Sequence, residues 1–169
     1  MKWLTHFLIA FVVYLLFVRI GLLKLDVVVV GLAVGSVIPD IDHPKSLLGG
    51  VVKHRGIVHS PLALGVSVVL LSSILSIYNA NPLIVFGFFL GYLIHLVTDS
   101  LTPMGVKWLQ PFKGGSVRFI IRTGGFVESI MAFLFAILLF ILLLQHYGIQ
   151  IPYVPISEKL RGFALSTAP

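Results

Sequence analysis

Apolar residues run through the chain in five long stretches, broken by short segments that carry its prolines, glycines and charges. The stretches cover residues 4–22, 25–39, 61–78, 82–99 and 126–146. A helix that crosses a bilayer needs roughly 17–25 mostly apolar residues. The third and fifth stretches are continuous. The second is short, and its Gly31 and Gly35 have the spacing that lets helices approach closely. The first carries Arg19, whose side chain can reach the interface. Ser60-Pro61 and Asn81-Pro82 each offer an N-cap followed by proline at the first helical position. Pro39 marks the end of the second helix. The pattern predicts an all-α, polytopic helical membrane protein of about five transmembrane helices. Residues 1–147 form one domain, and 148–169, with Pro152 and Pro155, a short tail.

Composition supports this. Of 169 residues 58% are hydrophobic and 11% charged, with a mean hydropathy of +1.08. The basic N-terminus before an apolar run resembles a signal peptide. No small-residue cleavage site follows, and Arg19 and Lys24 close the run, so it reads as a retained first span. The net charge of +6 does not point to nucleic acid, because the basic residues are spread over loops beside apolar spans. Cysteine is absent, so disulfides, thiolate ligands and cysteine nucleophiles are excluded, and any metal must be held by nitrogen and oxygen.

The few titratable residues change the picture more. Three motifs stand out: Pro39-Asp40-Ile41-Asp42-His43, His54-Arg55-Gly56-Ile57-Val58-His59-Ser60, and His95-Leu96-Val97-Thr98-Asp99. Carboxylates and imidazoles are costly in or beside lipid and are rarely there without a function. Threading the spans up and down puts His6, all three motifs and Glu128 on one membrane face, forming a polar metal site at one interface. Lys2, Lys45, Lys53, Arg55, Lys107, Lys113, Arg118 and Arg122 share that face, against Arg19, Lys24, Lys159 and Arg161 opposite. The positive-inside rule makes the site's face cytoplasmic, in the inner or plasma membrane.

His95 and Asp99, four apart, project from one face of a helix and can grip one ion or two adjacent ions. Asp40, Asp42 and His43 offer three ligands within four residues, or else a solvated interfacial turn. His59, beside the helix cap, is the better-placed ligand of its motif; His54 is a ligand or a proton donor to a leaving group. His6 is a ligand or a packed imidazole. Glu128 is a proton shuttle or a helix cap. Asp40, Asp42, His59, His95 and Asp99 form the core set, with His6 and His43 behind them. Such a donor set suits one or two divalent ions, zinc first, with manganese and iron open. A metal-bound water has its pKa lowered toward roughly 7. Arg55, Arg118 and Arg122 can clamp a phosphate, or simply face lipid headgroups. No serine-hydrolase elbow, phosphate-binding glycine loop or dinucleotide fingerprint is present.

Thr5-His6, the tract of Gly35, Pro39, Asp40, Asp42 and His43, then His54-Arg55-Gly56 with His59-Ser60, and Gly91, His95, Asp99, Thr102, Gly105 and Pro111 resemble the LexA-regulated, membrane-bound, metal-dependent hydrolases. The resemblance covers roughly residues 1–130 and implies a small membrane hydrolase. The helix from Gly91 to Asp99 and the Pro39-Asp40 turn are also similar, more weakly, to zinc-dependent phospholipase C and related nucleases, which cleave phosphoesters with several zinc ions. The second histidine that often follows in that pattern is missing, and Lys107 and Trp108 stand in its region.

The expected activity is hydrolysis of a phosphoester in a membrane lipid or lipid-linked substrate, with metal-bound hydroxide as nucleophile and Glu128 or His54 moving the proton. Two rivals share the ligands: a lipid amidase or acyl hydrolase, and a non-enzymatic metal-binding transporter or sensor. Transport sites favour the bilayer midplane, whereas these ligands gather at one interface.

Overall fold

The computed structural model describes residues 1–42, 56–110, 112 and 114–149. Five α-helices follow one another among them: α1 (Trp3–Arg19), α2 (Val28–Val37), α3 (Pro61–Ile77), α4 (Leu83–Ser100) and α5 (Phe126–His146). Each lies within or close to one of the apolar stretches. Only α4 and α5, of 18 and 21 residues, are long and apolar enough to cross a membrane. At about 1.5 Å per residue, the 17 residues of α1 and of α3 reach about 25 Å, short of a hydrocarbon core of about 30 Å. Helix α2 has ten residues, because the chain tightens into a 3-10 turn (Ile38–Asp42) through Pro39.

The expected caps form, with one shift. Ser60 Oγ accepts from the Ala63 amide at 3.2 Å, and Pro61 opens α3. Asn81 Oδ1 accepts from the Leu83 amide at 2.9 Å, so Pro82 is itself the cap residue and α4 starts one position late.

Helices α2 and α4 form the most extensive contact. The reason is reciprocal. Gly31 and Gly35 face Gly87 and Gly91, and a Cβ at any of the four would overlap a carbonyl oxygen of the other helix: Ile84, Phe88, Val28 and Leu32 respectively. Paired small residues at four-residue spacing let helix backbones touch where lipid supplies no hydrophobic drive. Helix α1 packs on this pair and on α5, around Tyr14, Leu15, Val28, Leu32 and Leu142. Helix α3 leans on α4 through Leu64, Phe88 and Leu96. Helix α5 turns Phe133, Leu134 and Phe140 outward, and α3 turns Val69, Leu70 and Ile77 outward. Apolar side chains on outward faces fit a lipid surround.

Candidate metal centre

The N-terminal turn of α1, the 3-10 turn after α2, the turn before α3 and the last turns of α4 meet at one end of the bundle. His6, Asp40, His95 and Asp99 each place one ligand atom so that all four lie within 4.8 Å of one another. His6 Nε2 is 3.2 Å from Asp99 Oδ1, and His95 Nε2 is 3.7 Å from both Asp40 Oδ1 and Asp99 Oδ2. His59 joins from the other side, its Nε2 3.3 Å from His95 Nε2, 3.4 Å from Asp99 Oδ2 and 3.8 Å from Asp40 Oδ1. Tetrahedral bonds of about 2.0–2.1 Å set neighbouring ligand atoms roughly 3.3–3.4 Å apart. The measured separations bracket that edge. The rings of His6 and His95 stack at 3.8 Å.

Local structure explains how each side chain arrives. His95 and Asp99 share a face of α4, one turn apart. Asp40 follows Pro39 in the 3-10 turn and keeps 18% of its side chain exposed, whereas His6, His95 and Asp99 are fully buried. His59 is held by a second 3-10 turn, Ile57–His59, which Tyr92 of α4 pins by donating its hydroxyl to the Val58 carbonyl at 2.5 Å.

Two hydrogen bonds decide what the histidines present. His95 Nδ1 donates to the Ser36 carbonyl oxygen at 2.8 Å, and a carbonyl can only accept. His6 Nδ1 lies 2.6 Å from Thr98 Oγ1. The Thr98 hydroxyl also lies 2.8 and 3.0 Å from the Ile94 and His95 carbonyls, and donation to either leaves its oxygen to accept from His6 Nδ1. His95 therefore carries Nδ1–H, and with Thr98 so turned His6 does too, each neutral ring then presenting an Nε2 lone pair toward the carboxylates. His6 Nε2 is buried, with Asp99 Oδ1 at 3.2 Å as a polar neighbour. The Met1 amino group donates to Asp99 Oδ1 at 2.5 Å, one positive charge against the two carboxylates. Lone pairs and carboxylate oxygens converging this closely in a buried space suit a divalent cation, and the Nδ1–H partners are of the kind that orient metal-bound histidines.

The structure thus brings together His6, Asp40, His59, His95 and Asp99. Asp42 lies in the 3-10 turn, and its side chain is outside what is described. His43, His54 and Arg55 lie outside the described residues. Glu128 is buried but faces α1: Oε1 accepts from the Lys2 amide (2.6 Å) and the Thr5 hydroxyl (3.0 Å), and Oε2 from the Gly124 amide (2.5 Å). Its carboxylate ties down the start of the helix that carries His6. Arg118 and Arg122 are exposed on the segment after α4. Thr98, Ser36 and Tyr92 escaped the sequence reading. Thr98 had a usable signal, a hydroxyl three residues after His95; the Ser36 carbonyl had none.

Residues 1–154 match the family model described as YdjM inner membrane protein. The chain is 41% identical over 90 residues to the inner membrane protein YdjM of Escherichia coli (strain K12), covering 44% of each chain. It is 31% identical over 114 residues to the uncharacterized protein YvsG of Bacillus subtilis (strain 168), covering 59% of this chain and 67% of that one. The alignment thus spans less than half the length of the Escherichia coli relative. No solved structure matches.

Proposed function

The chain belongs to the YdjM inner membrane protein family, and from the geometry of the buried cluster we propose that it is the divalent metal site of a membrane-embedded hydrolase. The convergence of His6 Nε2, His95 Nε2, Asp40 and Asp99, with both imidazoles oriented through Nδ1, carries this reading. His6, Asp40, His95 and Asp99 hold the ion, and His59 completes the set. A bound divalent ion supplies Lewis acidity and makes water nucleophilic near neutral pH. Nitrogen and oxygen donors favour zinc, with manganese and iron also compatible.

The protein's own residues do the rest. Asp40, the most exposed ligand, stands on the accessible side of the cluster. His59, its Nε2 within 3.4 Å of Asp99 and 3.8 Å of Asp40, would serve as the further ligand, which leaves the proton to another group. Glu128 fixes the α1 terminus that delivers His6. The site lies at the helix ends, so the substrate class is a lipid or lipid-linked phosphoester at the cytoplasmic surface of the inner membrane. The roles of Asp42, His43 and His54 belong to this proposal as further ligands and proton donor. The same reading takes all five helices as spans, the three shorter ones tilting little or thinning the bilayer locally.

The test is product analysis. Purified protein loaded with zinc or manganese is incubated with phospholipid vesicles, beside His95→Ala. Phosphate or phosphoalcohol released by the wild type alone is the expected result. Free fatty acid instead would assign amidase or acyl-hydrolase chemistry, and no product from either bond class would remove the hydrolase reading.

A further inference from the structure

Between Asp99 and Glu128 the chain has no acidic residue, yet it carries Lys107, Lys113, Arg118 and Arg122 and the aromatic rings of Trp108, Phe112, Phe119 and Phe126. Its described part is a hairpin. Val106 and Val117 exchange two backbone hydrogen bonds of 3.0 Å, and the Phe119 and Ile121 amides donate to the Thr102 and Leu101 carbonyls at 3.3 and 3.0 Å. Gly105, at φ +64°, closes a turn with Thr102 just before the paired Val106 (its amide donates to the Thr102 carbonyl at 3.0 Å), and a Cβ there would overlap the Val117 carbonyl oxygen. Trp108 Nε1 donates to Ser100 Oγ at 3.0 Å, tying the hairpin to the end of α4. Val106 is buried against the bundle.

The outward side is unusual for a loop in water. Ile120 is 89% exposed and Phe112 80%, with Phe119 and Leu109 also exposed beside Lys107, Arg118 and Arg122. The segment joins α4 and α5, the two helices long enough to cross the bilayer, so it emerges at a membrane surface. Non-helical backbone does not sit in lipid hydrocarbon, which leaves the interface. Aromatic rings and basic side chains together are what the headgroup layer of an anionic leaflet accepts.

We infer that the described part of this hairpin is an interfacial anchor: Ile120, Phe119 and Phe112 enter the headgroup–acyl boundary, while Lys107, Arg118 and Arg122 bind anionic phospholipid headgroups. This assigns the two arginines to the bilayer rather than to a substrate phosphate. It stands whether or not the neighbouring cluster binds metal.

The chain has no cysteine, so single nitroxide labels can be placed on an otherwise native background. Ile120→Cys and, as a water-phase reference, Asn79→Cys are labelled and reconstituted in phosphatidylcholine vesicles with and without phosphatidylglycerol. Collision with oxygen and with a water-soluble nickel chelate is measured by spin resonance. The expected result is a label at 120 that favours oxygen and moves deeper with phosphatidylglycerol, and loses that lipid dependence in K107Q/R118Q/R122Q. A label at 120 as open to the chelate as the one at 79 would overturn the anchor. A label shielded from both reagents would mean a protein contact and overturn it too. Lipid burial that ignores phosphatidylglycerol would overturn the headgroup assignment.

Discussion

The two ends of the helix bundle handle polar residues in opposite ways. At one end, His6, His59, His95 and Asp99 are buried against one another, with Asp40 at the edge. Some 20 Å away along α1, at about 1.5 Å per residue, Arg19 donates to Gln145, Tyr14 donates to the Lys24 carbonyl, and Asp26 accepts from the Val28 amide. There a cleft of about 490 Å³ lies between Leu15, Val18, Arg19, Leu142, Gln145 and His146. Its polar groups are exposed and satisfied by near neighbours. An open cleft with a few polar groups on its rim is what helix ends at a lipid interface ordinarily show. Buried acceptors turned toward one another, with their orientation fixed from behind, are costly unless a cation joins them.

Substitutions should separate the ends sharply. The largest effect is expected at the helix contact that holds the buried-cluster end together. Gly91→Val drives two methyl groups into the Leu32 carbonyl region, and the protein should fail to accumulate as a folded species in membranes, whereas Gly65→Ala on α3, with open space around it, should be neutral or stabilising by about 0.5–1 kcal/mol. Gel filtration in detergent and thermal melts would check both. Asp99→Asn comes next. It removes the carboxylate paired with the buried Met1 amino group and, as for other broken buried pairs, should cost about 3–5 kcal/mol while removing bound metal. Thr98→Val should be milder. Without its acceptor the His6 ring loses its fixed orientation, and metal affinity should fall about 10–100-fold, with Thr98→Ser restoring it; competition with a chelating dye would measure this. Arg19→Ala should be smallest, within about 1 kcal/mol and with unchanged metal content, because its bond to Gln145 is exposed.

Much of this architecture was legible in the chain. Apolar periodicity and proline caps located all five helices, and counting them brought His6, Asp40, His59 and His95 to one end. Most of what escaped depended on through-space partners. Gly31 and Gly35 announced a close contact, and Gly87 and Gly91 carry the same four-residue spacing, which the sequence reading passed over. An acid at the start of α5 reads as a cap for its own helix; Glu128 does accept from the Gly124 amide before α5, but it also accepts from the Lys2 amide and the Thr5 hydroxyl at the start of α1, which only packing reveals. The tautomers of His6 and His95 depend on a hydroxyl and a carbonyl from elsewhere on the bundle. Spans were counted by hydropathy, whereas the chain's own stops, at Pro39 above all, left three helices shorter than a bilayer.

The central claim is that the buried cluster holds a divalent ion, and metal content tests it most directly. Protein purified in mild detergent without chelator should contain one or two equivalents of metal by mass spectrometry, and Asp40→Ala/Asp99→Ala should contain none while Arg19→Ala keeps the full complement. A wild-type protein that stays metal-free after reconstitution with zinc and manganese would contradict the account and leave the cluster as a network for protons.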